Sequence, residues 1–372
     1  MSARRILVPF VGDTVGGSHI SALHLVRGLP RDRYDPVIGL HQPTGLLADY
    51  LAENAMPWIP LPDVALPSMA SLRRQIPVFA RATGPLRKVL RDERIDIVHT
   101  QDIRMHQLWG LPARLGGAAH LWHQRTPTRN KRLGTYARTA TRAVAVSDYC
   151  RSQLAPRLRD KAEVVTNPFT LPELPDRAVA REKLLAEIGR PDAQAVIGFV
   201  SHFTERKRPL LFVELAGALR DRGYTNCVFP MFGEARPPMG PEVLAAIEAR
   251  GLTGTVFPMG LKFPIEPWLA GCDLFIAPSV NEAFGRALVE AMFCATPCIA
   301  ADHGGNPEIY RNDETGVLVP PDDLDAFTDA AAGLLDHPDR ARRLAEAARA
   351  EAVERFSVEA HVAAMERVYA KC

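Results

Sequence analysis

Glu282 and Glu290 stand with seven residues between them in Asn281-Glu-Ala-Phe-Gly-Arg-Ala-Leu-Val-Glu-Ala-Met292, a stretch that reads as a loop turning into a helix. Phe284, Gly285, Arg286 and Ala287 fall on its first turn. There the backbone N–H groups lack intrahelical partners and the dipole end is positive, which makes a cradle for a diphosphate. Glu282, ahead of the helix, reaches hydroxyls on one side of such a group, and Glu290, about two turns later, reaches hydroxyls on the other. A ligand with hydroxyls at both ends of a diphosphate is a nucleotide-sugar. The competing reading of a lone pair of glutamates is a solvated helix face.

The flanking segments supply the scaffold. Cys272-Asp-Leu-Phe-Ile-Ala-Pro-Ser279 reads as a buried strand running into the loop, and Pro297-Cys-Ile-Ala-Ala301 as a second strand ahead of Gly304-Gly305. Strand, loop, helix, strand is a parallel α/β unit whose ligands lie at the carboxyl ends of the strands. Val200-Ser-His-Phe-Thr-Glu-Arg-Lys-Arg-Pro209 also follows a strand. Charge grows on a departing diphosphate, so a cation is needed beside it, and Lys207 is the candidate, with Arg206 as a second charge or a solvated surface group. Gly12-Asp-Thr-Val-Gly-Gly-Ser-His19 follows the first strand and opens a helix. Its glycines permit close backbone approach, but the Gly-x-Gly-x-x-Gly spacing of a dinucleotide site is absent.

A Glu, Phe-Gly, a second Glu, Ala-Met, a Pro-led apolar strand, Gly-Gly, Glu308 and a Gly-x-Leu-Val-Pro-Pro run ending in Asp322 together resemble the signature of glycosyltransferase family 4. One departure is Ala295, where the family usually has Gly. The resemblance implies the GT-B fold: two Rossmann-like doubly wound α/β domains facing across a cleft. It implies retaining transfer from a UDP-sugar or GDP-sugar donor with no further cofactor and no metal. Catalytic roles then fall on Glu282, Lys207 and His123, the last ending the strand Ala119–His123. Donor contacts fall on Gly16, Gly17, His202, Arg206, Lys207, Lys262, Glu282, Phe284, Gly285, Arg286, Ala287 and Glu290. His202 stands where similar enzymes carry Arg. His99 and Ser147 also match family landmarks and read as packing and loop-shaping groups. Met259-Gly-Leu-Lys262 reads as an edge of the nucleobase pocket through its backbone.

The 372 residues suffice for two domains, and strand-like runs alternate with helical ones in both halves. Thr166-Asn-Pro-Phe-Thr-Leu-Pro-Glu-Leu-Pro175 has a linker composition. The expected division is 1–168 for an acceptor-binding domain, 169–350 for a nucleotide-sugar domain, and 351–372 for a terminal helix crossing back to the first. No run of 18 apolar residues and no signal pattern are present, so a cytoplasmic location is expected. Six cysteines lack disulfide density or metal spacing, which suggests buried thiols. The lone Asp-x-Asp, Asp323-Leu-Asp325, fits a helix N-cap better than a metal site.

Net charge is +2, yet residues 1–165 hold 24 Lys/Arg against 13 Asp/Glu. An anionic or hydroxylated acceptor, or peripheral contact with an anionic membrane face, would answer that excess. No nucleic-acid motif accompanies it. Arg125 to Arg132, loop-like after His123, is a candidate acceptor clamp through Arg129, Lys131 and Arg132. Ser71 to Arg91, with Arg73, Arg74, Arg87 and Lys88, is a candidate membrane-facing helix or a solvated amphipathic one. Two other functions share much of this pattern: a sugar-nucleotide epimerase of the same shape, and an inactive nucleotide-sugar-binding partner subunit.

Overall fold

The computed structural model describes residues 3–67, 72–127, 133–171, 173 and 176–372, with the side chains of 72–74 and 133 aside. Two compact units result: residues 1–170 with 356–372, and residues 171–355.

Unit 1 is built on a seven-stranded sheet in the order β3-β2-β1-β4-β5-β6-β7. Its strands are β1 (Arg4–Phe10), β2 (Tyr34–Leu40), β3 (Trp58–Pro60), β4 (Ile97–Thr100), β5 (Ala119–Gln124), β6 (Arg142–Ala145) and β7 (Ala162–Val164). Unit 2 carries a six-stranded sheet in the order β10-β9-β8-β11-β12-β13. These are β8 (Ala195–Val200), β9 (Cys227–Phe232), β10 (Val256–Gly260), β11 (Leu274–Ala277), β12 (Cys298–Ala301) and β13 (Val317–Val319). Both sheets are parallel in every pairing.

Helices cover both faces of a parallel sheet, so its strands must be apolar on both sides, and the sequences comply. Ile6, Val8, Ile97, Leu121 and Val144 lie in a buried cluster that also takes in Val362, Met365, Val368 and Tyr369 of the last helix, Val358–Tyr369. In unit 2 the matching cluster includes Ile197, Phe199, Phe229, Met231, Leu274, Ile276 and Ile299. Twelve of the strands coincide with apolar runs evident in the sequence, and β3 is an addition. It is a three-residue edge strand ending in Pro60, and proline is tolerated at an edge because no ladder donor is required of it.

Each sheet has one point where strand order reverses, between β1 and β4 in unit 1 and between β8 and β11 in unit 2. Loops leaving the carboxyl ends of such a pair diverge and open a crevice. The Gly-rich loop follows β1, and the segments carrying Lys207 and Glu282 follow β8 and β11.

Smaller features follow from local chemistry. Asp323 caps the helix Leu324–Asp336, its side chain accepting from the Ala326 amide at 2.9 Å. Ser147 does the same for the helix Asp148–Ser152, through the Cys150 amide at 3.0 Å. Ala295 sits at φ +49°, a left-handed conformation that favours the glycine usual in similar sequences. The cysteines are free thiols, five of them buried.

Candidate donor site

The residues of interest in unit 2 converge on one carboxylate. Glu282 follows β11, and its side chain is only 12% exposed. Lys207, on a short turn after β8, places its Nζ 2.5 Å from Glu282 Oε2, and Arg206 places Nη1 3.0 Å from the same oxygen. The Arg206 carbonyl accepts from the Val280 amide at 2.9 Å, which ties the two loops together just ahead of Glu282. Burial pushes the Glu282 carboxyl up, but Lys207 and then Arg206 outweigh it and hold the group below the ordinary carboxylate range. Glu282 is therefore an ionised carboxylate kept out of water by two cations.

Glycines fix the loop around it. Gly304 has φ +68°, and a Cβ there would stand 2.8 Å from the Glu282 amide nitrogen and 2.9 Å from its carbonyl oxygen. The next amide, Gly305, donates to that carbonyl at 2.9 Å. The Asn281 amide donates to His303 Nδ1 at 3.0 Å. Only a residue without a side chain lets the β12 loop lie this close against the β11 loop.

The helix Arg286–Phe293 begins at Gly285, which has φ +22°. Ser201, Lys207, Ser279, Glu282, Gly285 and Arg286 line a small pocket at the ends of β8 and β11, with Ala287 beside them. Phe284, just ahead of this turn, is buried. Glu290 lies on the same helix with its side chain 18% exposed and Arg286 Nη2 3.5 Å away. Burial raises its pKa despite that arginine, and Glu266 adds to the rise. Two glutamates of one loop and helix thus have opposite tendencies: one is held charged, the other is pushed towards its neutral form.

The remaining unit 2 candidates have other partners. His202 Nδ1 is 3.9 Å from Glu234, which also pairs with Arg236, and the imidazole is half exposed. The Lys262 ammonium pairs with Glu187 and sits 4.7 Å from the centre of the Trp268 ring. Its backbone follows β10, where the Gly260 carbonyl accepts from the Gly233 amide at 2.8 Å.

Unit 1 holds the Gly-rich loop and His123. Gly16 caps the helix Gly17–Gly28 in an extended conformation, and a Cβ on it would meet only His19 Nδ1, at 3.9 Å. The loop is pinned by a pairing that sequence spacing does not announce: Arg104 donates to both carboxylate oxygens of Asp13, at 3.0 and 3.2 Å. His123, on β5, is wholly buried. Its partners are His99 on β4 and Arg125, so His99 belongs to a hydrogen-bonded chain and is more than a packing group. Arg125, read from the sequence as the start of an acceptor clamp, is buried and donates to Gln101 and Asn167. Arg129, Lys131 and Arg132 lie outside the described residues, as do the side chains of Arg73 and Arg74. On the described helix Leu72–Asp92, Lys88 pairs with Asp92 at 2.5 Å. Among the described residues no three His, Cys, Asp or Glu side chains gather as metal ligands, and no helix is long and apolar enough to cross a membrane.

Comparison with known proteins covers both units. Residues 180–351 match the family described as glycosyl transferases group 1, and residues 15–171 match the one described as glycosyltransferase family 4. An N-acetyl-alpha-D-glucosaminyl L-malate synthase of Bacillus anthracis is 35% identical over 111 residues, covering 30% of this chain and 29% of that one. The chain thus spans under a third of the length of that relative. A UDP-Gal:alpha-D-GlcNAc-diphosphoundecaprenol alpha-1,3-galactosyltransferase of Escherichia coli is 23% identical over 328 residues, covering 83% of this chain and 82% of the other. The Anabaena protein HepE, solved in complex with UDP and glucose, shares the fold with a TM-score of 0.82 at 18% identity, over 99% of both chains.

Proposed function

The chain belongs to glycosyltransferase family 4, the glycosyl transferases group 1, and from that premise we propose that it moves a sugar from a nucleoside-diphosphate sugar to an alcohol acceptor with retention at the anomeric carbon. The observation that carries this reading is the buried Glu282 carboxylate held by Lys207 and Arg206 beside the N-terminus of the helix Arg286–Phe293.

Each part has work in such a transfer. As the glycosidic bond breaks, the diphosphate gains charge, and Lys207 with the helix dipole is placed to stabilise it. Arg206 contributes a weaker, more hydrated charge. Glu282, already ionised, accepts hydrogen bonds from sugar hydroxyls, and Glu290 does so for the ribose, its ionised form being favoured once hydroxyls donate to it. The acceptor hydroxyl attacks the anomeric carbon from the face the leaving group departs, and its proton passes to the leaving phosphate oxygen. No step of this scheme calls on a metal ion, because cationic side chains and backbone dipoles do the neutralising. Unit 1, with its excess of Lys and Arg, is assigned to an anionic or hydroxylated acceptor. The expected location is cytoplasmic, with peripheral contact at an anionic membrane face.

UDP-sugars are the first donors to test, since the HepE structure contains UDP and the E. coli relative is named for UDP-Gal. A thermal-shift series with UDP- and GDP-sugars tests donor binding, because a ligand at 100 times its dissociation constant adds about 2.7 kcal/mol to stability. Stabilisation by one donor, followed by hydrolysis or transfer in EDTA with the product's anomeric configuration unchanged by NMR, is the expected result. Absence of a shift with every nucleotide-sugar would defeat the reading; binding without turnover would leave a binding subunit, and an epimerised nucleotide-sugar would indicate an epimerase.

A further inference from the structure

The helix Arg286–Phe293, which opens at the donor pocket, has eight residues and so runs only about 12 Å. An α-helix leaves its last carbonyls without intrahelical partners. Here two arginines from other elements of unit 2 meet the end of the helix and the turn that follows it. Arg177 opens the helix Arg177–Ile188. Its Nη1 donates to the carbonyls of Cys294 at 3.3 Å and Ala295 at 3.0 Å, and its Nη2 donates to the carbonyl of Cys272 at 2.9 Å. Cys272 lies two positions ahead of β11. Arg349, on the helix Pro338–Phe356, donates through Nε to the carbonyl of Phe293 at 3.2 Å. Thr296 finishes the turn, its hydroxyl donating to the Leu269 carbonyl at 2.8 Å.

We propose that Arg177, with Arg349 in support, is a positioning residue of the donor site: it ties the far end of this helix to the foot of β11 and so fixes where the first turn meets a diphosphate. A guanidinium presents its donors in one rigid plane, so Nη1 and Nη2 of a single group hold two backbone segments at a set separation. β11 and the helix are the two supports of the loop 278–285, which carries Glu282. Strand pairing fixes the first support. The second is held against the sheet by Leu288, Val289, Ala291, Met292 and Phe293, all buried. Apolar packing is non-directional, so it sets the depth of the helix without pinning it along its axis. Arg177 and Arg349 add a restraint along that axis, at the end of the helix where positive charge is favourable.

These bonds matter more to binding than to folding. Arg177 is exposed, so water can take its place at each carbonyl and little stability is lost. Water satisfies the carbonyls one at a time, however, and does not bind Cys272 to Ala295. A helix freed at its far end can tilt or slide when a diphosphate pulls on the positive end of its dipole. Glu290 rides on the same helix, so the ribose and diphosphate contacts would move together. Misplacement by about 1 Å can cost about 10²-fold even when its cause is remote from the chemistry. The role in donor binding rests on the transferase reading; the anchoring of the helix does not.

Hydrogen exchange read by mass spectrometry tests the anchoring on the full chain without ligand. In Arg177→Ala the amides of Arg286–Phe293 should exchange faster than in wild type, with the helix Pro209–Asp221 of the same unit unchanged. Unchanged exchange in Arg286–Phe293 would overturn the proposal whether or not the protein is a transferase. A uniform rise across unit 2 would also sink it, by making Arg177 a support of the whole unit. Titration with UDP and with GDP tests the consequence. Affinity for the nucleotide that wild type binds should fall about tenfold or more in Arg177→Ala, up to the roughly 10²-fold of a misplaced site. Arg177→Lys keeps the charge but lacks the planar fork, and it should fall nearly as far. Wild-type affinity in the lysine variant would show that charge alone suffices and would refute the tie. Arg349→Ala removes a single bond and should show a smaller loss of the same kind. If wild type binds neither nucleotide, the donor reading fails and the exchange result alone decides the anchoring.

Discussion

The Glu282 cluster of unit 2 and the His123 chain of unit 1 both stand by the carboxyl ends of parallel strands near a reversal of strand order, yet they solve burial in opposite ways. In unit 2 a carboxylate is kept ionised because two cations lie within 3.0 Å of one oxygen. In unit 1 His99 and His123 are kept neutral by burial and by the charge of Arg125, and hydrogen bonds link them to each other and to Tyr369. A charged cluster can answer a change of charge in its ligand, as a departing diphosphate requires. A neutral chain can tell a donor from an acceptor but offers little against growing charge. The contrast recurs within unit 2, where Glu282 is held charged and Glu290 is pushed towards neutrality on the same loop and helix.

The largest expected effect lies at the centre of the charged cluster. Lys207→Ala should lower kcat by about 10²-fold or more, in the range seen when one transition-state donor is removed, with a smaller rise in KM. Normal turnover at saturating donor would make Lys207 a structural partner of Glu282 and dissolve the contrast between the two regions.

Glu290→Gln tests the second carboxylate. Donor affinity should fall by about 1.5–3 kcal/mol, the worth of a hydrogen bond to a charged group, and titration calorimetry measures it. Stability should move the other way. The folded pKa of Glu290 is raised, so its contribution is fully present below the unfolded value of 4.5 and is lost as pH rises through the folded value. Glutamine does not ionise, and Glu290→Gln should therefore melt above wild type at pH 7. Glu282→Gln has the opposite sign, because its folded pKa is depressed and its contribution is present above 4.5 and lost in acid. It should melt below wild type at pH 7, the gap closing as pH falls. Shifts of the same sign at both positions would show that the two glutamates do not differ in the free protein.

The sequence made the strands legible because doubly covered parallel strands are continuous apolar runs, and it made Glu282, Glu290 and Lys207 legible because polar residues cluster just past those runs. Trp58–Pro60 is not legible in this way, since a strand of three residues that ends in a proline carries no period. The pairings were hidden for a different reason. Lys207 and Glu282 are 75 positions apart, and Tyr369 and His99 are 270 apart. Contacts of that kind depend on sheet register and helix docking, which no local pattern encodes. Arg125 shows the consequence: its neighbours in sequence are those of a basic loop, while its side chain is buried against Gln101 and Asn167.

Gly304→Ala examines the backbone beneath the charged cluster without altering any charge. The new Cβ would fall 2.8 Å from the Glu282 amide nitrogen, at a left-handed φ that costs a non-glycine residue about 1–2 kcal/mol. The variant should lose at least that much stability in urea denaturation and bind donor more weakly, because Glu282 has to move. Unaltered stability would mean that the two loops separate more easily than their packing implies.

Arg206 should give the smallest effect, and it separates burial from proximity. It approaches the same Glu282 oxygen as Lys207, but its side chain is 51% exposed where that of Lys207 is 20% exposed. Exposed ion pairs are worth about 0.2–1 kcal/mol, so Arg206→Gln should weaken donor binding only by up to about fivefold. Salt should mimic the mutation. Raising ionic strength from about 0.05 M to 0.5 M screens a hydrated guanidinium far more than a buried ammonium. Wild type should therefore lose a little donor affinity with salt, and Arg206→Gln should lose less. If Arg206→Gln instead matched Lys207→Ala in kcat, the exposed charge would be acting on the transition state, and burial would not be what ranks the two cations.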